Sequence, residues 1–451
     1  MLRSFTKICV NLASRWLPDS FVLVAILTII VFLAVLGFTD QAPLGIVQNW
    51  GNGAWSLLAF SMQMALVLVL GQTLASARVV SNFLQKLASI PKNYFSAIVM
   101  VTLMGLLANL INWGFGLVIS AIFAKEIAKK VRGVDYRLLI AAAYSGFVVW
   151  HAGLSGSIPL TLASGGDALA KSTAGILKEG IPSSMTIFSS FNLIMIALIV
   201  LILPFLLAAI HPTKEDTLEI DKRLLEREAV DLELIDHKQD KSLAVYLENS
   251  FLITLSLSIL GFSYLFYHFS KGGDLSLNII NMIFLFLGIL LHKKPISYIK
   301  AIHEATKNAS GILLQFPFYA GIIGMMVGSS GGVSLAGMLS NFFISISSSE
   351  TFALFTFWSA GFVNIFVPSG GGQWAVQAPI MIPAGLELGI SPAITSMAIA
   401  WGDAWTNMIQ PFWALPALAI AGLGAKDIMG YCIVTLLFVG LVLSLGFLFL
   451  I

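Results

Sequence analysis

Long apolar stretches that carry almost no charge recur along the whole chain, and they constrain its fold more than any other feature. A helix needs about 20 apolar residues to cross a lipid bilayer, and these stretches reach that length. Only 11% of the 451 residues are charged, whereas 58% are hydrophobic. A soluble chain carries about 25% charged residues. Because so little polar surface cannot cover a soluble particle, the sequence predicts an integral membrane protein.

The positions of the basic residues predict which side of the membrane each loop faces. Loops rich in Lys and Arg stay in the cytoplasm, which places the N-terminus, with Arg3, Lys7 and Arg15, inside. Residues 1–17 have one apolar and one basic face, a pattern typical of an interfacial helix. The apolar stretches that follow are long enough for about nine membrane spans. They are predicted at 20–38, 54–77, 138–163, 186–210, 249–268, 276–291, 309–328, 392–424 and 428–451.

Two further apolar stretches fit re-entrant hairpins better than full spans. Residues 94–124 lie between two basic clusters, and a turn within the membrane keeps both clusters in the cytoplasm. Arms of about 14 residues would reach only part of the way across, at a rise of about 1.5 Å per residue. Residues 351–390 form the matching hairpin of the second half, entered from the outside.

The chain therefore divides into two halves of opposite orientation. Residues 1–210 hold the first half and residues 248–451 the second. Between them, residues 211–247 form a cytoplasmic linker with ten acidic and six basic side chains. An inverted repeat with interrupted helices indicates a secondary transporter. The predicted fold class is an all-α polytopic membrane protein with an inverted repeat, about nine transmembrane helices and two re-entrant hairpins with broken helices.

Four interrupted segments should meet near the middle of the bilayer, because non-helical backbone is tolerated there only inside the protein or along a cavity. They are the hairpin turns at 109–116 and 367–374 and the breaks at 151–159 and 403–411. Free amides at helix starts attract anions, although glycines there also suit close helix packing. The candidate substrate-binding residues are Asn112, Trp113, Gly114, Ser155, Gly156, Ser157, Ser369, Gly370, Gly371, Gly372, Gln373 and Trp374.

The chemistry of these breaks points to a small monocarboxylate. No lysine or arginine lies clearly inside them, and a substrate with several negative charges would normally want one. Helix ends and hydroxyls suit a single carboxylate better. Aromatic residues around the breaks could enclose a short hydrocarbon tail; they are Trp113, Phe115, Trp374, Trp405, Phe412 and Trp413.

Asp403 is the clearest acidic residue deep in an apolar stretch, and intramembrane carboxylates are costly and usually functional. We therefore expect it to couple transport to an ion, either a proton or sodium. Sodium would need further oxygens, for which Asn364, Asn407 and Gln410 are candidates, with Thr406. The alternative is that Asp403 caps the broken helix. His151 fits a proton relay or a structural hydrogen bond. No cofactor, metal or nucleic-acid partner is expected.

An intramembrane serine hydrolase is the competing class of protein. Residues 153–156 read GLSG, the G-x-S-G pattern of intramembrane serine proteases. Such chemistry needs a histidine base on another helix facing the serine. His151 is only four residues from Ser155, and the other histidines lie at span ends or in loops. Because so short a pattern often arises by chance, we expect no enzyme activity.

Several long segments resemble the bacterial short-chain fatty acid transporters, over nearly the whole chain. Residues 14–19 read SRWLPD, residues 58–65 read LAFSMQMA and residues 111–118 read INWGFGLV. Residues 367–372 read VPSGGG, and residues 407–416 read NMIQPFWALP. Two positions depart from the family's pattern. Gln373 stands where the glycine motif is associated with a histidine, and Asp403 stands where Glu is expected, which keeps the carboxylate.

The resemblance implies uptake of short-chain fatty acids such as acetoacetate and butyrate across the bacterial inner membrane. The larger group of ion transporters that it points to builds the substrate site from two hairpins and broken helices, which agrees with the topology above. It also implies an elevator mechanism and a homodimer. A carrier for another organic anion, such as a dicarboxylate, is the alternative within transport.

Overall fold

A computed structural model describes residues 20–220, 242–329, 333–365, 367 and 370–451. The predicted interfacial helix over 1–17 and residues 221–241 of the linker lie outside these ranges. All regular secondary structure within them is helical. The helices are α1 (Ser20–Phe38), α2 (Pro43–Gly53), α3 (Leu58–Ala75), α4 (Arg78–Leu87), α5 (Tyr94–Ile111), α6 (Trp113–Ala128), α7 (Tyr136–Ser145), α8 (Ser157–Ser164), α9 (Gly166–Ser172), α10 (Ser190–Ala209), α11 (Leu243–Glu248), α12 (Phe251–Ser270), α13 (Leu277–His292), α14 (Pro295–Thr306), α15 (Ser310–Val327), α16 (Leu335–Ile346), α17 (Phe352–Asn364), α18 (Gly370–Glu387), α19 (Pro392–Thr406), α20 (Pro411–Ala421) and α21 (Ala425–Phe449).

Seven helical segments in the described ranges are long and apolar enough to cross a bilayer. All but one coincide with predicted spans, and the exception is α5, an arm of the first hairpin. The remaining predicted spans are the apolar helices α1 and α13 and the broken pair α19 and α20. The chain is therefore an all-α, multi-pass membrane protein, as the sequence predicts.

Both hairpins form, with boundaries that differ from the prediction. The arms α5 and α6 have 18 and 16 residues and are joined by the single extended residue Asn112. They are therefore longer than the predicted arms. In the second hairpin α17 ends at Asn364 and α18 begins at Gly370. The glycine run is therefore the first turn of a helix rather than part of the loop.

Each half also contains a broken span, and its sequence explains the break. Helix α7 tightens into a 3₁₀ turn over Gly146–Ala152 and resumes as α8 at Ser157. Helix α19 is followed by a 3₁₀ turn over Asn407–Ile409, and α20 then starts with Pro411. Proline suits the first position of a helix because its missing N–H has no partner there anyway. Asp403 lies inside α19, three residues before its end.

The packing of the helices repeats between the halves. Helices α1 and α2 pack against α15, while α13 and α14 pack against α3. In turn α3 contacts α6 of the first hairpin, and α15 contacts α18 of the second. Two glycines allow one of these close approaches, since a Cβ on Gly53 would lie 2.7 Å from Ala320 O and 3.1 Å from Gly324 Cα.

The first residues of the linker dock on the loop before α7. The amide of Tyr136 donates to Leu218 O at 2.7 Å, and the amide of Leu218 donates to the Asp135 carboxylate at 3.0 Å. Arg137 forms an ion pair with the same carboxylate at 2.7 Å. The linker therefore leaves the first half along a defined path before it reaches residues 221–241.

Candidate functional site

A hydrogen-bonded chain of three buried side chains joins the two broken spans. Asp403 Oδ2, on α19, lies 2.9 Å from His151 Nδ1 in the first-half break. His151 Nε2 in turn lies 2.8 Å from Ser157 Oγ, the first residue of α8. None of the three side chains is more than 1% exposed. The break residues predicted from each half thus meet at one point.

The backbone fixes which nitrogen of His151 carries a proton. The amide of Ile158 donates to Nε2 at 3.1 Å, so Nε2 is an acceptor and the neutral imidazole holds its proton at Nδ1, facing Asp403. A second proton on Nε2 would meet the N–H of Ile158. The other oxygen, Asp403 Oδ1, has no hydrogen-bond partner among the described residues. Asp403 Oδ1 is therefore the polar atom of this pair that can take a further hydrogen bond.

Two helix starts face this chain of side chains. A Cβ built on Gly370 would lie 2.6 Å from His151 Cε1 and 2.7 Å from Ser157 Oγ. The first turn of α18 is therefore directly against them, and α8 begins at Ser157 itself. The first amides of a helix are unpaired within it and carry partial positive charge. The hydrogen bonds of these three side chains involve no lysine or arginine, so helix ends are the positive groups at this point.

The other predicted coupling residues form a network beside Asp403. Asn364 Nδ2 donates to the Asp403 carbonyl at 2.7 Å and to Thr406 Oγ1 at 2.9 Å. Gln410 Nε2 donates to the Asn364 carbonyl. Asn407 Oδ1 accepts from the Trp150 indole at 2.9 Å, and Gln410 Oε1 accepts from Asn407 Nδ2 at 3.2 Å. Hydrogen bonds thus already engage the amide oxygens of Asn407 and Gln410, whereas Asn364 Oδ1 has no partner among the described residues.

The tip of the first hairpin is tied to the break by structural contacts. Asn112 Oδ1 caps α6 by accepting from the Phe115 amide at 2.9 Å. Ser155 Oγ accepts from the Trp113 amide, also at 2.9 Å. A Cβ on Gly114 would lie 3.0 Å from Leu68 Cα, and one on Gly156 would lie 2.3 Å from the carbonyl oxygen of His151. These four predicted binding residues hold the backbone in place around the site.

Tryptophans fill the space beside His151. Trp150 stacks on His151 with ring centroids 4.0 Å apart and an angle of 10° between the planes. Trp113 lies 5.7 Å from Trp150 and 5.5 Å from Trp413. Trp405 lies elsewhere, with its indole N–H on Leu436 O at 2.7 Å. The aromatic residues predicted from the sequence are therefore only partly brought together.

The glycine run and the residues after it face three different environments. Gly371 is covered by Phe60 and Phe316, and Gly372 by the Tyr319 ring. Gln373 Nε2 donates to the Ala360 carbonyl at 2.7 Å, within the second hairpin. The Trp374 indole donates to Ser172 Oγ at 2.9 Å, so its N–H is bonded to the end of α9 rather than to His151. The predicted residue Ser369 lies outside the described part of the chain.

The sequence did not decide the role of His151, and it did not point to the aromatic residues Trp150, Phe60, Phe316 and Tyr319. His151 was visible as the one histidine in a break, but its partner Asp403 is 252 residues away along the chain. The aromatic residues lie in ordinary apolar helices, where nothing in their spacing separates them from other buried rings. Only the folded arrangement shows that they reach the first turn of α18.

The fold and the site together define a multi-pass membrane protein whose broken helices and hairpins meet at a buried polar cluster. The sequence profile of the short chain fatty acid transporter family matches residues 1–450. The chain therefore belongs to the short-chain fatty acid transporter family.

Two relatives and one solved structure are similar over almost their whole length. A protein of Escherichia coli (strain K12) is 44% identical over 447 residues, covering 99% of each chain. One of Haemophilus influenzae (strain ATCC 51907 / DSM 11121 / KW20 / Rd) is 43% identical over 459 residues, covering 100% of each. Both are provisionally named short-chain fatty acid transporters. The crystal structure of the Alcanivorax borkumensis YdaH transporter, with its unusual topology, is similar in fold, with a TM-score of 0.59, 18% identity and coverage of 96% of this chain and 97% of that one.

Proposed function

We propose that this protein is a secondary active transporter that takes up short-chain monocarboxylates, such as butyrate and acetoacetate, with a proton. The observation that carries the proposal is the buried chain from Ser157 through His151 to Asp403, placed against the start of α18. It puts an anion-binding helix end and an ionisable carboxyl within one hydrogen-bonded unit. Membership of the family supports the substrate class.

The substrate carboxylate would bind where Ser157 meets the first turn of α18. The hydroxyl of Ser157 can turn from His151 Nε2 to donate to an anion, because the Ile158 amide still satisfies that nitrogen. The amides of Gly370 and Gly371 supply further donors at the positive end of the helix. Without a lysine or arginine in these contacts, a single negative charge suits the site better than two.

Asp403 would carry the coupled proton. An ionised carboxylate linked through His151 to a bound anion places two negative charges in a low-dielectric interior, which is unfavourable. Protonation of Asp403 removes that repulsion, so proton and substrate each favour binding of the other. Sodium is the alternative ion. Of its five candidate ligands, only Asp403 and Asn364 keep a side-chain oxygen without a partner among the described residues, which favours the proton.

We propose an elevator mechanism in the bacterial inner membrane, with the N-terminus in the cytoplasm. The hairpins and broken spans pack on one another, and α3 and α15 contact them from the other group of helices. The first group would carry the substrate across while the second stays fixed in a homodimer. The basic N-terminus supports the orientation.

Serine hydrolase chemistry is a second candidate function, because Ser157, His151 and Asp403 have the hydrogen-bonding order of a catalytic triad. The serine is Ser157, whereas the sequence pattern pointed to Ser155, which instead accepts from Trp113. Treatment of the detergent-solubilised protein with a fluorophosphonate probe tests it. Covalent labelling that disappears in Ser157→Ala would favour the hydrolase, and no labelling is the result expected of a transporter.

The main test is uptake of radiolabelled butyrate into proteoliposomes under a proton gradient or a sodium gradient imposed separately. Protein-free liposomes correct for diffusion of the neutral acid. We expect saturable uptake under the proton gradient alone, inhibited by unlabelled acetoacetate and not by succinate. Inhibition by succinate would favour a dicarboxylate carrier, and uptake driven by sodium alone would contradict proton coupling.

A further inference from the structure

Three aromatic side chains from both halves of the protein cover the first turn of α18. A Cβ on Gly371 would lie 2.8 Å from Phe60 Cε1 and 3.0 Å from Phe316 Cζ, and one on Gly372 would lie 2.6 Å from the Tyr319 ring. Phe60 and Phe316 meet edge to face with ring centroids 5.7 Å apart. Each of the three side chains is at most 2% exposed. The helix end that would hold the carboxylate therefore has an apolar surface directly beside it.

The two phenylalanines differ from Trp150 in how firmly they are held. The Trp150 indole donates to Asn407 and its ring stacks on His151, so it cannot move without breaking the site. Phe60 and Phe316 have no polar atoms and meet the glycines with the outer edges of their rings. Such side chains can swing aside at the cost of packing alone.

Phe60 and Phe316 also come from the helices outside the hairpins. Phe60 lies on α3 and Phe316 on α15, the two helices that contact α6 and α18 respectively. A substrate held by Ser157 and α18 would extend its hydrocarbon tail toward these rings. The length of tail that fits then depends on how far the rings can retreat.

We propose that Phe60 and Phe316 limit the length of the hydrocarbon tail that the protein accepts. The end of the tail would contact the rings of both residues. This inference rests on the proposed function, because it assumes that a monocarboxylate binds at the start of α18. Each methylene buried against an apolar wall changes affinity about fourfold. Removing a ring opens space for several methylenes.

The test compares the chain-length preference of Phe316→Ala and Phe60→Ala with that of the wild type. Inhibition of radiolabelled butyrate uptake is measured with acetate, butyrate, hexanoate and octanoate in proteoliposomes. We expect the inhibition constant for hexanoate to fall at least tenfold relative to that for acetate in each variant. Phe284→Ala is the matched control, since Phe284 is a buried phenylalanine of α13 whose ring contact is with Phe115. It should leave the order of preference unchanged.

The outcomes separate this inference from the function on which it rests. An unchanged order of preference in both variants, with butyrate uptake intact, would overturn the role of the two rings and leave the transporter standing. Absence of butyrate uptake in the wild type would overturn the function and the inference together. If an alanine variant does not fold, Phe316→Leu and Phe60→Leu provide smaller changes of the same sign. A shift in the melting temperature with each acid gives the same comparison without transport.

Discussion

At the scale of single residues, Ser155 and Ser157 have different roles: Ser155 makes a structural contact, whereas Ser157 lies at the proposed binding site. Ser155 holds the tip of the first hairpin by accepting from the Trp113 amide. Ser157 instead faces His151 and the start of α18. Its hydroxyl can exchange the imidazole for a substrate anion, while Ser155 cannot leave its partner without orphaning a buried amide. The roles of these serines follow from their partners, since both are equally buried.

Ser157→Ala should weaken butyrate binding with little effect on folding. A hydrogen bond to a charged group contributes about 1.5–3 kcal/mol, so the dissociation constant should rise about 10- to 150-fold. Isothermal titration in detergent, or the half-saturation of uptake, measures this change. Ser396→Ala is the control, because Ser396 is buried on α19 and bonds only to the Pro392 carbonyl in the described structure. Equal affinity in Ser157→Ala and wild type would remove Ser157 from the binding site.

At the scale of helices, the glycine run forms the first turn of α18 and lies against side chains on every side. The sequence indicated that Gly370, Gly371 and Gly372 favour a close approach of backbone and ligand. It did not indicate that Gly370 would face His151 and Ser157 while the next two residues face the aromatic rings. Which neighbours each glycine faces depends on where α18 starts. The boundary of a helix after a loop is poorly determined by local sequence.

Gly370→Ala should abolish butyrate uptake. The added methyl group would lie 2.6 Å from His151 Cε1 and 2.7 Å from Ser157 Oγ, so it must displace the residues that bind the anion and the proton. Overpacking of this kind costs about 1–3 kcal/mol of stability, which a folded membrane protein can tolerate. Uptake per unit of correctly folded protein, judged by size-exclusion chromatography, is the measurement. Gly51→Ala is the control, since nothing lies within 4 Å of its added Cβ; loss of uptake in both variants, or in neither, would contradict the assignment.

The order of helices was predictable from the sequence because apolar stretches of about 20 residues mark helices that can cross a membrane. The hairpins followed from the same patterns, and only their boundaries moved. The sequence predicted that the two breaks meet, but not that His151 pairs with Asp403, because that contact depends on the direction of each side chain within its break. Likewise Trp374 and Gln373 follow the glycine motif in sequence, yet the turn of α18 directs them to Ser172 and Ala360. Proximity along the chain did not decide which side chains share the site.

At the scale of the whole molecule, one contact joins the segment before α10 to the loop between α12 and α13. The amide and hydroxyl of Ser183 donate to the Asp274 carboxylate at 2.8 and 2.6 Å. Partial burial of this carboxyl opposes ionisation, but the hydrogen bonds from Ser183 and Leu275 outweigh it and hold the pKa of Asp274 below its ordinary value. The contact is therefore complete above the ordinary pKa of an aspartate and is lost as the pH falls through the lowered one.

Ser183 precedes α10, which packs on the hairpin arm α5, whereas Asp274 precedes α13, which packs on α3 of the other group of helices. In the proposed elevator mechanism we therefore expect this contact to open during each cycle. We expect that Ser183→Cys combined with Asp274→Cys, in a chain whose Cys9 and Cys432 are replaced by serine, loses butyrate uptake on oxidation and recovers it on reduction. The measurement is uptake into proteoliposomes before and after a mild oxidant and then a thiol reductant. The single-cysteine chains, treated in the same way, control for oxidation elsewhere. Uptake that continues in the fully cross-linked protein would contradict movement at this boundary.

Proton-coupled uptake is tested most directly by the variant Asp403→Asn, because the buried carboxyl is the group proposed to carry the coupled proton. Proteoliposomes are loaded with unlabelled butyrate to measure exchange, or given an imposed proton gradient to measure accumulation, with protein-free liposomes as the baseline for diffusion. If Asp403 carries the proton, accumulation falls to that baseline while exchange of labelled for unlabelled butyrate persists. Accumulation at the wild-type level in Asp403→Asn would contradict that role.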